Sequence, residues 1–141
     1  MGEEEVKIKG CVAIIEDEEA IREMYRTKFT IEHYRVIEAA NGKDGLELIK
    51  KEKPDIVLLD IFMPIMNGFD VLTRLKNDPD PLVKKIPVLI LTNLAEDAGF
   101  ERGIGLGAAG YVMKVTRTPD QLVQLTKAVI KSSQDGTSNA G

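Results

Sequence analysis

The stretch Ile56-Val57-Leu58-Leu59-Asp60-Ile61-Phe62-Met63-Pro64 decides the fold. Four aliphatic residues in a row leave no polar face, so a strand here is covered on both sides, as in a parallel sheet between helical layers. Cys11 to Ile15 and Val88 to Leu91, the latter ending in Thr92, read the same way. Arg35 to Ala39 and Gly110 to Met113, ending in Lys114, are shorter of apolar residues but complete a set of five strand candidates. Between them lie amphipathic stretches at roughly 18 to 30, 43 to 52, 68 to 77, 96 to 106 and 119 to 132. Five strands alternating with five helices predict a doubly wound α/β fold with a parallel sheet.

Local signals refine this outline. Thr118 is placed to cap the last helix, Pro119 suits its first position, and Gln121 completes a capping box. Gly99, Gly103 and Gly105 weaken the fourth helix by roughly 0.5 to 1 kcal/mol each relative to alanine. It is expected to be the most deformable element. Asp78-Pro79-Asp80-Pro81 reads as a surface loop. Ser132 to Gly141 is small and polar, as expected of a flexible tail or the remnant of a linker.

With 141 residues the chain has room for one domain and a core that folds without staples. At 43% hydrophobic and 30% charged it is neither disordered nor membrane-like in composition. A net charge of −4 argues against a standing nucleic-acid surface, which needs clustered cations. The single cysteine, Cys11, opens an apolar run and reads as a buried structural thiol suited to a reducing compartment. The acidic start Met1-Gly2-Glu3-Glu4-Glu5 is unlike a signal peptide. A cytoplasmic location is the expectation.

Ligands in an open parallel α/β sheet bind beyond the carboxyl ends of the strands. Here the first strand runs into Glu16-Asp17-Glu18-Glu19, the third ends in Asp60, the fourth in Thr92 and the fifth in Lys114. If these strands are neighbours, the acids converge, and carboxylates that repel one another invite a divalent cation. Oxygen ligands suit Mg²⁺, which usually keeps sites for water or phosphate oxygens. Such a set fits phosphoryl transfer, with Asp60 attacking, the cation and Lys114 neutralising charge, and Thr92 donating a hydrogen bond.

The segments Val12-Ala13-Ile14-Ile15-Glu16-Asp17, Ile56 to Pro64, Gly68, Leu91-Thr92 and Gly110-Tyr111-Val112-Met113-Lys114 together resemble the receiver domain of two-component response regulators. The likeness covers roughly residues 10 to 131, with 1 to 9 as an N-terminal extension and 132 to 141 as tail. It implies a flavodoxin-like sheet in the order 2-1-3-4-5 with five helices. It also implies that Asp60 is phosphorylated by a histidine kinase, a phosphotransfer protein or a small phosphodonor. Mg²⁺, or Mn²⁺ in its place, would be held at positions matching Glu16, Asp17, Asp60 and the main-chain carbonyl of Phe62. Thr92 and Lys114 would stabilise the phosphoryl group, and Thr92 with Tyr111 matches the family's switch pair. The outcome would be a signalling switch rather than an enzyme. Its fourth helix, fifth strand and fifth helix would present the state to a partner protein or a second copy.

The chain departs from the family at several points. Val115 follows Lys114 where the family has a cis proline, so a trans bond and a re-routed loop are expected. Asn93 stands where a small residue is usual and narrows the entrance. Phe62 and Leu94 occupy the positions that tune attack by water; both are apolar, which predicts slow self-dephosphorylation. Less specific readings compete. Glu18 and Glu19 read as charges complementing a helix dipole, His33 as a surface residue, and Met63 and Met66 as packing near the site. Tyr111 is either a switch or a static core aromatic. On the last helix Leu122, Leu125 and Val129 form the expected core stripe, with Val123 and Ile130 either buried or part of a docking patch.

Two rivals share features with this reading. An FMN binder needs a glycine- and hydroxyl-rich phosphate loop after the first strand, where this chain has four acids. An aspartyl phosphatase wants a second acid two residues after Asp60, where Phe62 stands. A receiver-like interaction domain not regulated by phosphorylation is the alternative within the family.

Overall fold

The computed structural model describes residues 7–93 and 97–135. Strands β1 (Cys11–Ile15), β2 (Arg35–Ala39), β3 (Ile56–Asp60), β4 (Val88–Thr92) and β5 (Gly110–Met113) form one parallel sheet in the order β2-β1-β3-β4-β5. This is the doubly wound, flavodoxin-like order that the resemblance implies. Every residue of β3 and β4 is buried, which is why their sequences lack alternation. The period of two reappears in what each residue touches. Ala13, Ile15, Val57, Leu59, Val88 and Ile90 pack on one face with Leu46, Phe69 and Leu72. Val12, Ile14, Ile56, Leu58, Leu89 and Leu91 pack on the other with Tyr25, Phe29 and Leu122. Each fully buried aliphatic contributes about 1.5 to 3 kcal/mol, so the sheet centre carries much of the hydrophobic stabilisation.

The helices are α1 (Glu19–Ile31), α2 (Gly42–Glu52), α3 (Gly68–Lys76), α4 (Pro81–Lys84), α5 (Asp97–Gly105) and α6 (Pro119–Gln134), with a 3-10 turn over Lys114–Thr116. Asn41 and Asn67 cap α2 and α3 by accepting hydrogen bonds from the Asp44 and Asp70 amides at 2.8 and 2.9 Å. The Thr118 and Gln121 capping box of α6 forms as its sequence predicts.

Six helices stand where five were expected. The additional one, α4, starts at the end of the stretch read as a surface loop and runs on to Lys84, because Asp80 caps it through the Leu82 amide at 2.9 Å and Pro81 takes its first position. Asp78 is buried there rather than solvated, accepting from the Asp80 amide at 2.8 Å and lying 3.4 Å from the Lys50 ammonium. The fourth and fifth helices of the sequence reading are therefore α5 and α6. On α6 the core stripe is Leu122, Val123, Thr126 and Ile130, while Leu125 and Val129 are only partly buried. This rotates the expected stripe and removes Val123 and Ile130 from any docking patch. Cys11 is half-buried rather than fully so, with its Sγ accepting from Arg35 at 3.6 Å. No cis bond occurs among the described residues, so Lys114–Val115 is trans as expected.

Close backbone approach fixes where the β3–α3 connection lies. A Cβ on Gly68 would meet the Asp60 carbonyl oxygen at 2.2 Å, and the Gly68 amide donates to the Ile61 carbonyl at 2.8 Å. A Cβ on Gly105 would meet nothing within 4 Å. Gly68→Ala is expected to lower unfolding free energy by about 1 to 3 kcal/mol through overpacking against backbone. Gly105→Ala is expected to raise it by about 0.4 to 1 kcal/mol by restricting the unfolded chain. Urea denaturation of both variants beside the parent chain checks the opposite signs.

Candidate functional site

Parallel strands end on the same edge, and here β1 and β3 are direct neighbours with Ile15 paired to Leu59. The next residues, Glu16 and Asp60, must therefore stand side by side. One carboxylate oxygen from each of Glu16, Asp17 and Asp60 lies within 4.8 Å of the others. Glu16 and Asp60 are buried, at 2% and 7% exposure, while Asp17 faces solvent. Lys114, first residue of the turn after β5, reaches across the end of β4 to these acids. Its ammonium pairs with the Glu16 carboxylate and lies 3.5 Å from Asp60 Oδ1. The Ile61 amide donates to the same Asp60 oxygen at 2.8 Å.

Glu16 is held on every side. Its amide donates to the Ala39 carbonyl at 3.1 Å, and its Oε2 accepts from the Glu18 amide at 3.0 Å. Its carbonyl accepts from Arg22 at 2.7 Å, and Arg22 in turn donates to Glu38 on β2 at 3.0 Å. The sequence reading missed Arg22 and Glu38. The available signal was a cation sharing the i, i+3, i+7 stripe of Tyr25 and Phe29, both core residues of α1.

Burial pushes the Asp60 carboxyl up to about 7, the Glu16 carboxylate adds to this, and Lys114 and the Ile61 amide act against it. For Lys114 burial opposes the charged form, but hydrogen bonding to Glu16 and the charges of Asp60 and Glu16 outweigh it and hold the ammonium above its ordinary range. The Tyr25 phenol, buried on α1, is pushed up by burial, with Lys114 opposing and Glu16 and Asp60 reinforcing.

An open cleft of about 360 Å³ leads to the acids, lined by Asp17, Glu18, Asp60, Phe62, Asn93 and Lys114. The donor set suits a hard divalent cation: all ligand atoms are carboxylate oxygens, one acid is solvent-facing, and the cleft has room for water. Phe62 stands at the rim with 63% of its surface exposed, and Asn93 is also exposed. Glu18, read from sequence only as a helix-dipole charge, lines the cleft and makes no side-chain cap to α1. Thr92 is fully buried at the end of β4, between the strand bearing Asp60 and the strand preceding Lys114. Tyr111 does not line the cleft. Its ring packs edge-on against Phe100 at 5.8 Å between centroids, and its hydroxyl would lie 2.7 Å from a Cβ on Gly99. Leu94 lies outside the described residues. His33 sits in the α1–β2 connection with φ of 72°, and Met63 and Met66 pack against the core.

The family model for the response regulator receiver domain matches residues 12–127. The chain belongs to that family. Its relatives include the "Probable transcriptional regulator ycf27" of Porphyra purpurea, 33% identical over 133 residues, which are 94% of this chain and 52% of that protein. The phosphate regulon transcriptional regulatory protein PhoB of Pseudomonas aeruginosa is 34% identical over 129 residues, 92% of this chain and 55% of that one. The chain thus spans about half the length of these relatives. Among solved structures, a CheY-like response regulator receiver domain protein from Methanospirillum hungatei superposes with a TM-score of 0.81 at 25% identity, covering 89% of this chain and 96% of that one. Chemotaxis response regulator CheY4 of Vibrio cholerae gives a TM-score of 0.77 at 26% identity, covering 88% and 99%. No helix among the described residues of this receiver domain is long and apolar enough to cross a membrane.

The raised Asp60 carboxyl has a measurable sign. Between the unfolded value near ~4 and the folded value of about 7, the folded receiver holds a proton that the unfolded chain has released, so this group's contribution to stability falls as pH rises through that window. Asp60→Asn removes the penalty. Without divalent cations, its melting temperature is expected to exceed the parent's by a margin that grows from pH 4 to pH 7 and then levels off. A margin independent of pH, read by differential scanning calorimetry, would contradict the buried-carboxylate account.

Proposed function

We propose that this receiver domain takes a phosphoryl group onto Asp60 from the phosphohistidine of a histidine kinase or phosphotransfer protein, and relays its phosphorylated state as a switch. The observation that supports this most directly is the buried Asp60 carboxylate at the foot of an open cleft, beside Glu16, Asp17 and the Lys114 ammonium. In the reaction an Asp60 carboxylate oxygen forms the new bond to phosphorus as the bond to the donor nitrogen breaks, and the electron pair leaves with the imidazole. Mg²⁺, or Mn²⁺ in its place, would be held by Glu16, Asp17, Asp60 and the Phe62 main-chain carbonyl and would neutralise charge on the transferring oxygens. Lys114 adds a fixed positive charge beside the acceptor, and the Thr92 hydroxyl is the donor for a phosphoryl oxygen.

On this reading the domain does not turn over a substrate as an enzyme. Thr92 and Tyr111 couple the acceptor to the face formed by α5, β5 and α6, which a downstream protein or a second copy reads. The domain itself contacts neither nucleic acid nor membrane, and it acts in the cytoplasm. Phe62 and Leu94 offer an attacking water no hydrogen bond, so the phosphorylated state is long-lived.

Incubation with Mg²⁺ and acetyl phosphate is expected to add the mass of one phosphoryl group, located to Asp60 by peptide mapping and lost in Asp60→Asn. An unmodified parent chain would overturn the reading in favour of an interaction domain that phosphorylation does not regulate. Phe62→Asn is expected to shorten the lifetime of the phosphorylated protein several-fold at unchanged Mg²⁺; an equal decay would remove Phe62 from the resetting step.

A further inference from the structure

The geometry points to Arg22 as a positioning residue for the divalent-cation site, acting through the main chain of Glu16. Arg22 touches none of the three carboxylates by hydrogen bond. Its Nη1 donates to the Glu16 carbonyl at 2.7 Å, while its Nε donates to Glu38 Oε1 at 3.0 Å. The side chain is largely enclosed, at 16% exposure. Glu38 is itself fixed on β2, one residue before Ala39, whose carbonyl receives the Glu16 amide. Arg26 Nη1 donates to both Glu38 oxygens at 2.9 Å, sharing Oε1 with Arg22.

Arg22 therefore ties the first peptide after β1 to the end of β2. That peptide must be fixed because Glu16 and Asp17 supply two of the three carboxylates from a loop, whereas Asp60 closes a fully buried strand. Removing the guanidinium frees the Glu16 carbonyl and lets the loop carry both acids away from Asp60. Outer partners that orient metal ligands commonly matter about 10- to 100-fold in affinity.

This inference rests on the cation reading of the acidic cluster, and the sign of the effect separates the two. Arg22 is a cation near an acidic site, so by field alone its removal would tighten Mg²⁺ binding. By positioning it must weaken binding. Isothermal titration of the metal-free chain with MgCl₂ is expected to give about tenfold weaker binding for Arg22→Met. Arg26→Met removes the same charge from the same Glu38 without touching Glu16, and is expected to bind Mg²⁺ as the parent does or slightly more tightly. Parent-like or tighter binding by Arg22→Met, or equal weakening in both variants, would overturn the assignment. A parent chain that takes up no Mg²⁺ would instead overturn the cation reading itself. Should Arg22→Met fail to fold, Arg22→Lys keeps the charge and loses the two-armed geometry; weaker Mg²⁺ binding supports positioning and parent-like binding refutes it.

Discussion

Two buried carboxylates, Glu16 and Asp60, stand side by side because β1 and β3 are paired in parallel, and the Lys114 ammonium between them makes that arrangement tolerable. Like charges removed from water repel strongly, so without Lys114 one acid would have to stay protonated or the loop would have to move. Even with it, Asp60 is held up to about 7. The site is thus a region of electrostatic tension, relieved by the Lys114 ammonium and by proton uptake at Asp60. The sheet order matters as much as the residues. In β2-β1-β3-β4-β5 the chain reverses direction beside β1 and β3, which opens the crevice at that edge.

Holding such a site requires a stiff base. The aliphatic residues of β3 and β4 are buried on both faces, so Asp60 and Thr92 stand at the ends of fully buried strands. Glycines let neighbouring backbone close over that edge: Gly68 sits against the Asp60 carbonyl, and a Cβ on Gly42 would lie 2.0 Å from the Met66 carbonyl oxygen. The β3–α3 connection is pinned at both points. Ile65, immediately before Met66 and after the Asp60 end of β3, adopts φ of 72°, which a β-branched residue resists, and its side chain is exposed. Anchors on either side impose that conformation against the residue's own preference.

The parts of the fold legible from sequence were those governed by uninterrupted burial. Four strands emerge with the bounds read for them, the fifth stops at Met113 with Lys114 opening the following turn, and the α6 cap follows from Thr118, Pro119 and Gln121. Asp60, Glu16, Asp17 and Lys114 were legible as a set because strand ends in a parallel sheet share an edge. Features that depend on partners distant in sequence were not legible. Asp78 reads as a loop acid until Lys50, from another helix, approaches it. The α6 stripe is displaced because periodicity gives a helical face but not the rotation at which it docks. Arg22 is marked in the sequence only as a cation on the buried stripe of α1, because its partner, the Glu16 backbone carbonyl, carries no sequence signature.

Glycines in α5 show how a local weakness changes meaning in context. By propensity they loosen the helix, yet a side chain on Gly99 would strike the Tyr111 hydroxyl, and one on Gly103 would lie 2.6 Å from Ile90 Cδ1. Their absence of side chains lets α5 settle onto β4 and β5, with the Tyr111 ring against Phe100 supplying contact that the glycines do not. A helix of low propensity then depends on tertiary contacts, among them Phe100 against the Tyr111 ring and Arg102 over the Phe69 ring at 4.3 Å. Moving Tyr111 would withdraw that support from the helix next to the end of β4, where Thr92 lies. In the proposed switch, the element most easily rearranged is therefore the one whose exposed Phe100 and Ile104 a partner would meet. In that proposal, a buried strand edge beside a glycine-weakened helix packed on Tyr111 is the physical basis for converting an event at Asp60 into a change of surface.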